Sequence, residues 1–586
     1  MNTPQSLTMA GLSRSAIAAE LCGEDLSDSS SSDELLSNSS SDTEEGSYSQ
    51  ENEESVIACA VGGDLEVSVQ APLESADWKE VRNFEAPRDF VGDTGVVHDL
   101  SPGSSEFCYF KYILGGDNIF KTIAQNTNKY AVHRQNQAKK ADQEWFDTTS
   151  EEIVAYVGIL IYMGVYHLSE TMDYWHNPDI ECSIIKNCMT YKRYKKLTKY
   201  FHVSDIEKEQ NAHDEGFDVL QKVRPVLGIM DNFHKKYRPG RELVVDEAMV
   251  AFKGRHHIKQ YIKNKPTKWG FKVWVLATPH GYVLKGNVYL GKKEVRNKGM
   301  LLGSQVVMNL LESYLGLHHH VYFDSFFSSV HLVRYLLQNN TYACSTSQPS
   351  RKEWPKELKL TKSLKLKRGE YKCLQSNGVT ATVWCDNRYI CVLSTNCDPK
   401  GSVSVLRKTG KGNERLAIAC PLSVAKYTKF MGGVDRADQK RSYYSLGRKT
   451  KKWWKYLFGF VMNTAIVNSF ILYNETNQPA KSKHGESQKE FRKALYRQMI
   501  GNFTSRKRAG RKRSVTPNVL SSQQSHKIIK IEGRKKVCVQ CSENKKHTAS
   551  GKAIQTTWKC RNCDLPLCKI GCFLEFHHKK GVEVDN

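Results

Sequence analysis

The chain has 586 residues, with 86 lysines and arginines against 62 aspartates and glutamates and a formal net charge of +24. Such a length accommodates about two to four domains, and so large an excess of positive charge points to a polyanionic partner, most often nucleic acid. No run approaches the roughly 18 apolar residues of a membrane span, and the first residues show only weak apolar clustering, so the sequence reads as soluble and non-secreted with no membrane partner.

Of the 17 cysteines, six fall between Cys538 and Cys572 and the others are scattered without paired spacing. That distribution fits reduced thiols plus a metal site better than a disulfide framework, which implies a reducing compartment, cytosol or nucleus.

In chain order, Glu24 to Glu54 is a near-repetition of Ser, Asp and Glu with too little apolar surface to offset chain entropy, and is expected to be disordered. Its serines beside acids are open to phosphorylation, or the tract is simply a solvating tail. Ordered pattern begins near Phe107. The segments NIFKTIAQNTNKYAVH and TTSEEIVAYVGILIYMGVYHL predict helices, the second opened by a capping box of Thr148 and Thr149 ahead of Glu151 and Glu152. MTYKRYKKLTKYFHV and VLQKVRPVLGIMDNFHKKY predict two more.

After Pro239 and Gly240 the pattern becomes short β-branched and aromatic runs, LVVDEAMVAF, GFKVWVLATPHGYVLKGNVYLG and HHHVYFDSFFSSV, with the helix-like GSQVVMNLLESYLGL between the last two. A mixed α/β layer around a central sheet follows. Residues 351–420 predict a β-rich insert with turns at Asn377-Gly378 and Asp386-Asn387. Helix returns at MGGVDRADQKRSYYSLGRKTKKWWKYLFGFVMNTAIVNSFILYN, followed by the basic tether Ser505 to Ser514. Arg506-Lys507-Arg508 with Arg511-Lys512-Arg513 reads as a nuclear localisation signal or as an exposed linker.

Two sets of residues carry chemistry. Cys538, Cys541, Cys560, Cys563, Cys568, Cys572 and His577 supply seven soft or borderline ligands in a short stretch. A structural zinc takes four, so two zincs need one more ligand, with His578 and His547 as the candidates. The second set is acidic. Asp246 ends the strand-like LVVD, Asp324 ends VYFD, and Asp435 and Asp438 stand three apart on one face of a predicted helical turn. Carboxylates at sheet ends in a basic chain suit Mg²⁺ or Mn²⁺ and phosphodiester displacement. Basic residues beside these acids, Lys263, Lys265, Lys268 and Lys272, and the cluster Arg448, Lys449, Lys451, Lys452, Trp453, Trp454 and Lys455, are candidate DNA contacts through charge and stacking, or alternatively a solvated edge and core aromatics.

VVDEAMVAFKGRHHIKQYIKNKPTKWGFKVWVLA, VYFDSFFSSVHLV, VWCDNRYICVLST, KYTKFMGGVDRADQKRSYYSLGRKTKKWWKYLF and the terminal cysteine pattern resemble, in the same order, the piggyBac transposases and their transposase-derived host proteins, from Phe107 to His578. The resemblance implies a multidomain α/β protein: a ribonuclease-H-like catalytic core with a β-rich insertion, a mainly helical flanking domain, and a small C-terminal cross-brace-like zinc module. Composition gives a disordered acidic, Ser-rich region at 1–100; beyond it the resemblance implies a helical dimerisation and DNA-binding domain at 101–240 and 446–505, the core at 241–350 and 422–445, the insertion at 351–421, a basic linker at 506–533 and the zinc domain at 534–580.

The resemblance places catalytic acids at Asp246, Asp324 and Asp435 with a fourth at Asp438, holding Mg²⁺ or Mn²⁺ for strand cleavage and transfer at TTAA. It further implies a nuclear homodimer bound to double-stranded DNA at terminal inverted repeats. One stretch departs from the pattern: where family members commonly carry Gly-Thr-x-Arg-x-Asn-Arg, this chain reads Ala-Cys-Ser-Thr-Ser-Gln-Pro-Ser-Arg from Ala343 to Arg351. That substitution leaves open a host protein that binds DNA without cutting it.

Overall fold

The computed structural model describes residues 77–81, 84–263, 265–291, 300–359, 364–408, 415–477, 486–505, 525–580 and 584–585. The acidic tract and the basic tether lie outside them. The chain divides into two units, Met1–Ser505 and Arg506–Asn586.

The first unit opens inside the stretch 1–100 expected to be disordered, where Gly95–Val96 pair with Tyr237–Arg238, and continues with helices α1 (Glu106–Leu114), α2 (Asn118–Gln137), α3 (Ser150–Val165) and α4 (Tyr191–Tyr200). Thr149 caps α3 by accepting from the Glu152 N–H, as the capping pattern predicts. Glu152 itself does not reach back to the cap. Its carboxylate takes the Thr148 hydroxyl at 2.8 Å and pairs with Arg193 of α4, both charged side chains being almost wholly buried. Because a buried charge left alone costs far more than a buried pair contributes, Glu152→Gln or Arg193→Met is expected to destabilise this unit by about 3–5 kcal/mol, while the double apolar replacement recovers most of the loss. Melting temperatures of the three variants check this. The helix expected across Val219 to Tyr237 is cut to Arg224–Met230, because Pro225 fits only a first turn.

Strands β1 (Glu242–Ala251), β2 (Gln260–Tyr261), β3 (Trp269–Ala277), β4 (Val283–Val288), β5 (His320–Phe323) and β6 (Tyr342–Thr346) build a sheet with β7 (Tyr371–Ser376), β8 (Val379–Cys385) and β9 (Tyr389–Ser394). Its order is β2-β3-β1-β5-β6-β9-β8-β7, with β4 also on β3. β1, β5 and β6 are mutually parallel and the other pairings antiparallel. Helix α5 (Leu302–Leu311) precedes β5, and α6 (Val330–Gln338) makes the crossover to β6.

The segment 351–421 is therefore not a separate body. β9, β8 and β7 extend the central sheet through the β6–β9 ladder, and the ribbon β10 (Ser402–Lys408) with β11 (Arg415–Pro421) is a separate two-stranded sheet packed on it through Ile418, Cys420 and Trp384. Asn377 and Gly378 both take positive φ in the β7–β8 turn, the geometry an Asn-Gly hairpin demands.

Four helices complete this unit: α7 (Leu422–Phe430), α8 (Gly433–Ser442), α9 (Trp454–Asn477) and α10 (Gln488–Ile500). By length and composition α9 could cross a membrane, against the sequence reading, but 83% of its apolar window is buried inside the unit. It is a core helix, and the same apolar character that would suit lipid is met here by protein.

His319 and His320, at the head of β5, are buried, and burial pushes their imidazoles down to about 4 and about 3. Between the ordinary value of 6.5 and those values the unfolded chain takes protons that the folded chain refuses, so stability falls as pH falls. His320 alone accounts for about 2 kcal/mol lost by pH 5. A shallower drop in melting temperature below pH 6.5 for His320→Phe checks the assignment.

In the second unit, β12 (His526–Lys530) pairs with β13 (Trp558–Cys560), and helix α11 (Cys572–His578) follows. β12 lies within 506–533, so part of the expected linker belongs to the module.

Candidate functional site

β1 continues past Asp246 to Ala251, whereas its parallel neighbour β5 stops at Phe323. Val245 and Phe323 are register partners, so the next residue on each strand, Asp246 and Asp324, emerges side by side where the ladder ends. Asp246 is thus in the middle of its strand rather than at its end. Its Oδ1 accepts from the Glu247 N–H at 2.8 Å, which curls the carboxyl over its own strand. The result is that oxygens of Asp246, Glu247 and Asp324 all lie within 4.8 Å of one another.

Alternation along a strand assigns Glu247 to the opposite face from Asp246, which is why pattern reading passed it over. The one signal in the sequence is that Glu247 is an acid directly beside Asp246.

Burial, with repulsion from Glu247 and Asp324, pushes the Asp246 carboxyl up to about 7, and burial and Glu247 likewise raise Asp324. The positive charge facing them comes from two lysines. Lys265 Nζ sits 3.1 Å and Lys272 Nζ 3.9 Å from the Glu247 carboxylate. Burial works against the Lys265 ammonium, but Asp246, Glu247 and Asp435 outweigh it and hold its pKa above the usual lysine value. Lys272 also lies over the rings of Trp274 and Phe326, at 4.1 and 4.5 Å. Arg351, within the divergent stretch, donates to the carbonyls of Ser325 and Phe326 at 2.9 and 3.2 Å, tying down the loop that follows Asp324.

Asp435 and Asp438 both lie on α8. A Cβ at Gly433 would come 2.5 Å from the Thr278 carbonyl, so only glycine lets the start of this helix seat against the end of β3. Asp435 is exposed and its field reaches Lys265. Asp438 is paired with Arg441, and burial raises its pKa. Neither joins the three-carboxylate cluster. Three hard oxygen donors with unmatched negative charge suit a divalent ion such as Mg²⁺ or Mn²⁺.

In the second unit the cysteines and histidines form two groups of four, Cys538, Cys541, Cys568 and Cys572, and His526, Cys560, Cys563 and His577. Tetrahedral zinc–thiolate bonds of about 2.3 Å place sulfurs about 3.8 Å apart. The Cys541 sulfur lies 3.3 Å from that of Cys572 and 3.9 Å from that of Cys568. His526 Nδ1 is 3.5 Å from Cys560 Sγ and 3.2 Å from Cys563 Sγ, and His577 Nε2 is 3.4 Å from Cys563 Sγ. The His577 Nδ1–H donates to the Phe573 carbonyl at 2.7 Å, leaving Nε2 free to ligate.

His526 therefore takes the place expected of His547 or His578, both of which are exposed. It stands alone, 12 residues ahead of Cys538, and β12 carries it to Cys560. The two groups interleave along the chain, which is the connectivity of a cross-brace.

The basic candidates divide. Arg448 donates to the Leu168 carbonyl and the Thr171 hydroxyl, Lys452 to the Lys199 carbonyl and Lys455 to the Thr198 carbonyl. Burial brings Lys452 down to about 8 and Lys455 to about 7. Trp453 packs on His256 at 4.4 Å and Phe271 at 6.0 Å, and Trp454 is buried. Lys263, Lys268, Lys449 and Lys451 remain exposed.

Residues 105–470 match the family model described as Transposase IS4, and residues 521–578 one described as a DDE_Tnp_1-like zinc finger. PiggyBac transposable element-derived protein 3 of Homo sapiens is 25% identical over 475 residues, 79% of this chain and 74% of that protein. PiggyBac transposable element-derived protein 5 of Homo sapiens is 24% identical over 443 residues, 73% of this chain and 81% of that protein. A cryo-EM structure of a piggyBac transposase synaptic complex with hairpin DNA aligns with a TM-score of 0.61 at 22% identity, covering 84% of this chain and 99% of that one.

Proposed function

The chain belongs to the transposase IS4 family, of piggyBac type, and from that premise we propose that it is a metal-dependent cut-and-paste DNA transposase acting at TTAA, with Asp246, Asp324, Asp435 and Asp438 as its acidic site. The observation that carries the reading is the convergence of Asp246, Glu247 and Asp324 at the end of one parallel ladder. The run of three antiparallel strands, β4-β3-β1, continued by the parallel β5 and β6, supports a ribonuclease-H-like core.

Asp246 and Asp324, with Glu247, would hold Mg²⁺ or Mn²⁺, which when bound supplies Lewis-acid stabilisation of the phosphoryl oxygens and a more acidic attacking hydroxyl. Around it, Lys265 and Lys272 hold Glu247 in place and offer positive charge to a phosphate backbone. Arg351 fixes the loop behind Asp324. The exposed lysines Lys263, Lys268, Lys449 and Lys451 extend that charge to double-stranded DNA. In this reading terminal inverted repeats are the DNA partner, the zinc module is an end-recognition or assembly arm, and the protein works as a nuclear homodimer.

A second reading, a transposase-derived chromatin protein that binds DNA without cleaving it, draws on the divergent Ala343 to Arg351 stretch. One assay separates them. Purified chain is given a plasmid bearing the genomic DNA that flanks its own coding sequence, with Mg²⁺, Mn²⁺ or a chelator. The transposase reading expects metal-dependent nicks at the element ends. DNA binding without nicks under either metal leaves the second reading standing.

A further inference from the structure

The hairpin that carries Lys265 to the carboxylates begins and ends on an aromatic pair that the site chemistry does not use. Tyr261 of β2 and Trp269 of β3 are direct register partners, with ring centroids 4.6 Å apart. Large aromatic side chains are ordinarily covered, yet these are 51% and 48% exposed. Trp274, five residues further along β3 and on its opposite face, is 1% exposed, so the open ring belongs to one face at the start of the strand.

The surroundings are cationic. The Lys259 ammonium lies over the Trp269 ring at 4.7 Å, and Lys263 and Lys268 are exposed on the connecting turn. Within the same turn the Lys265 N–H donates to the Ile262 carbonyl at 3.3 Å, and its side chain reaches Glu247. A cross-strand pair thus stands four residues from a group that touches the carboxylate cluster.

A half-exposed aromatic pair with one ammonium over it and two exposed lysines on the adjoining turn fits a ligand that is at once flat, π-rich and anionic. A nucleobase on a phosphate backbone has those properties, whereas the base faces of an intact duplex are already stacked on their neighbours. We infer that Tyr261 and Trp269 form a stacking platform for an unpaired nucleobase, holding a separated DNA strand beside Asp246 and Asp324. The inference rests on the DNA-processing reading above and adds to it the state of the strand that is bound.

Fluorescence anisotropy tests it, with Ca²⁺ present and two labelled probes: a blunt duplex, and the same duplex with an unpaired thymidine extension. Stacking on one aromatic supports roughly tenfold or more in affinity. Tyr261→Ala and Trp269→Ala are expected to weaken the extended probe about tenfold and leave the blunt duplex unchanged, with Trp269→Phe close to the unaltered chain. Equal weakening of both probes would show a structural or purely electrostatic role and overturn the platform, as would no weakening. If the unaltered chain binds neither probe, the DNA-processing reading itself falls. If it binds both and the variants match it, only the platform does.

Discussion

A chain carrying His526→Ala is expected to retain one zinc where the unaltered chain retains two, one for each group of four ligands. The module has little else to hold it. Among the described residues its buried apolar core is Leu567, Phe573 and Phe576 packed among the ligand cysteines themselves, with only Ile528, Val539, Ile554, Leu565 and Val584 partly buried around them, less than an independent fold of this size needs. Structural zinc sites contribute about 10–16 kcal/mol of apparent binding free energy, so the metal largely is the folding energy here.

Removing His526 leaves Cys560, Cys563 and His577 with an open position and frees β12 from Cys560. Zinc measured by mass spectrometry on purified protein reads the stoichiometry, and limited proteolysis reads the fold. Cleavage within 525–580 should accelerate for His526→Ala and on chelation, with the first unit resistant. His547→Ala and His578→Ala should keep two zincs. A variant lacking His526 that still binds two, or a His547 variant that loses one, would defeat the assignment.

The second large effect concerns the acids. Asp246→Asn and Asp324→Asn are each expected to lower metal-dependent nicking by about a thousandfold or more, the scale on which preorganised charge at a reacting phosphate acts. Neither should unfold the protein. Asp246 is a nearly buried carboxyl held up to about 7 by burial and by two like charges against the attraction of Lys265, so an amide of the same shape relieves more burial cost and repulsion than the attraction it gives up.

Melting temperature in chelator is therefore expected to stay level or rise for Asp246→Asn, while the gain on adding Mn²⁺ disappears. The pairing of lost metal response with retained fold distinguishes a ligand from a structural residue. Glu247→Gln is the informative companion. It separates a third oxygen donor, which would cut the Mn²⁺ response, from an anchor for Lys265 and Lys272, which would leave that response and loosen the turn.

Much of the metal chemistry was legible in the sequence because it is local. Cys-x-x-Cys, or Cys-x-x-x-Cys at the start of a helix, places two sulfurs within reach of one ion whatever the rest of the chain does, and the pairs beginning at 538, 560 and 568 each carried that information. The N-cap at Thr149, though not the reciprocal half of its capping box, and the Asn377-Gly378 turn were legible for the same reason, since a cap or a two-residue turn is decided over four neighbouring residues. Helix extent was less so, Pro225 having more say than the apolar pattern around it.

What the tertiary structure alone decided are relations between residues far apart in the chain. The sequence by itself determined which side chains are chemically able to bind metal and how strongly basic the protein is. It could not show that β5 stops one residue short of Asp324, which brings Asp324 beside Asp246 and draws in Glu247. Nor could it show that β12 carries His526 to Cys560, or that Arg448, Lys452 and Lys455 turn inward to backbone carbonyls while Tyr261 and Trp269 stay in solvent. The physical reason is common to all of these: residue identity sets what a side chain can do, whereas strand register and long-range packing set which partner it meets and whether water reaches it.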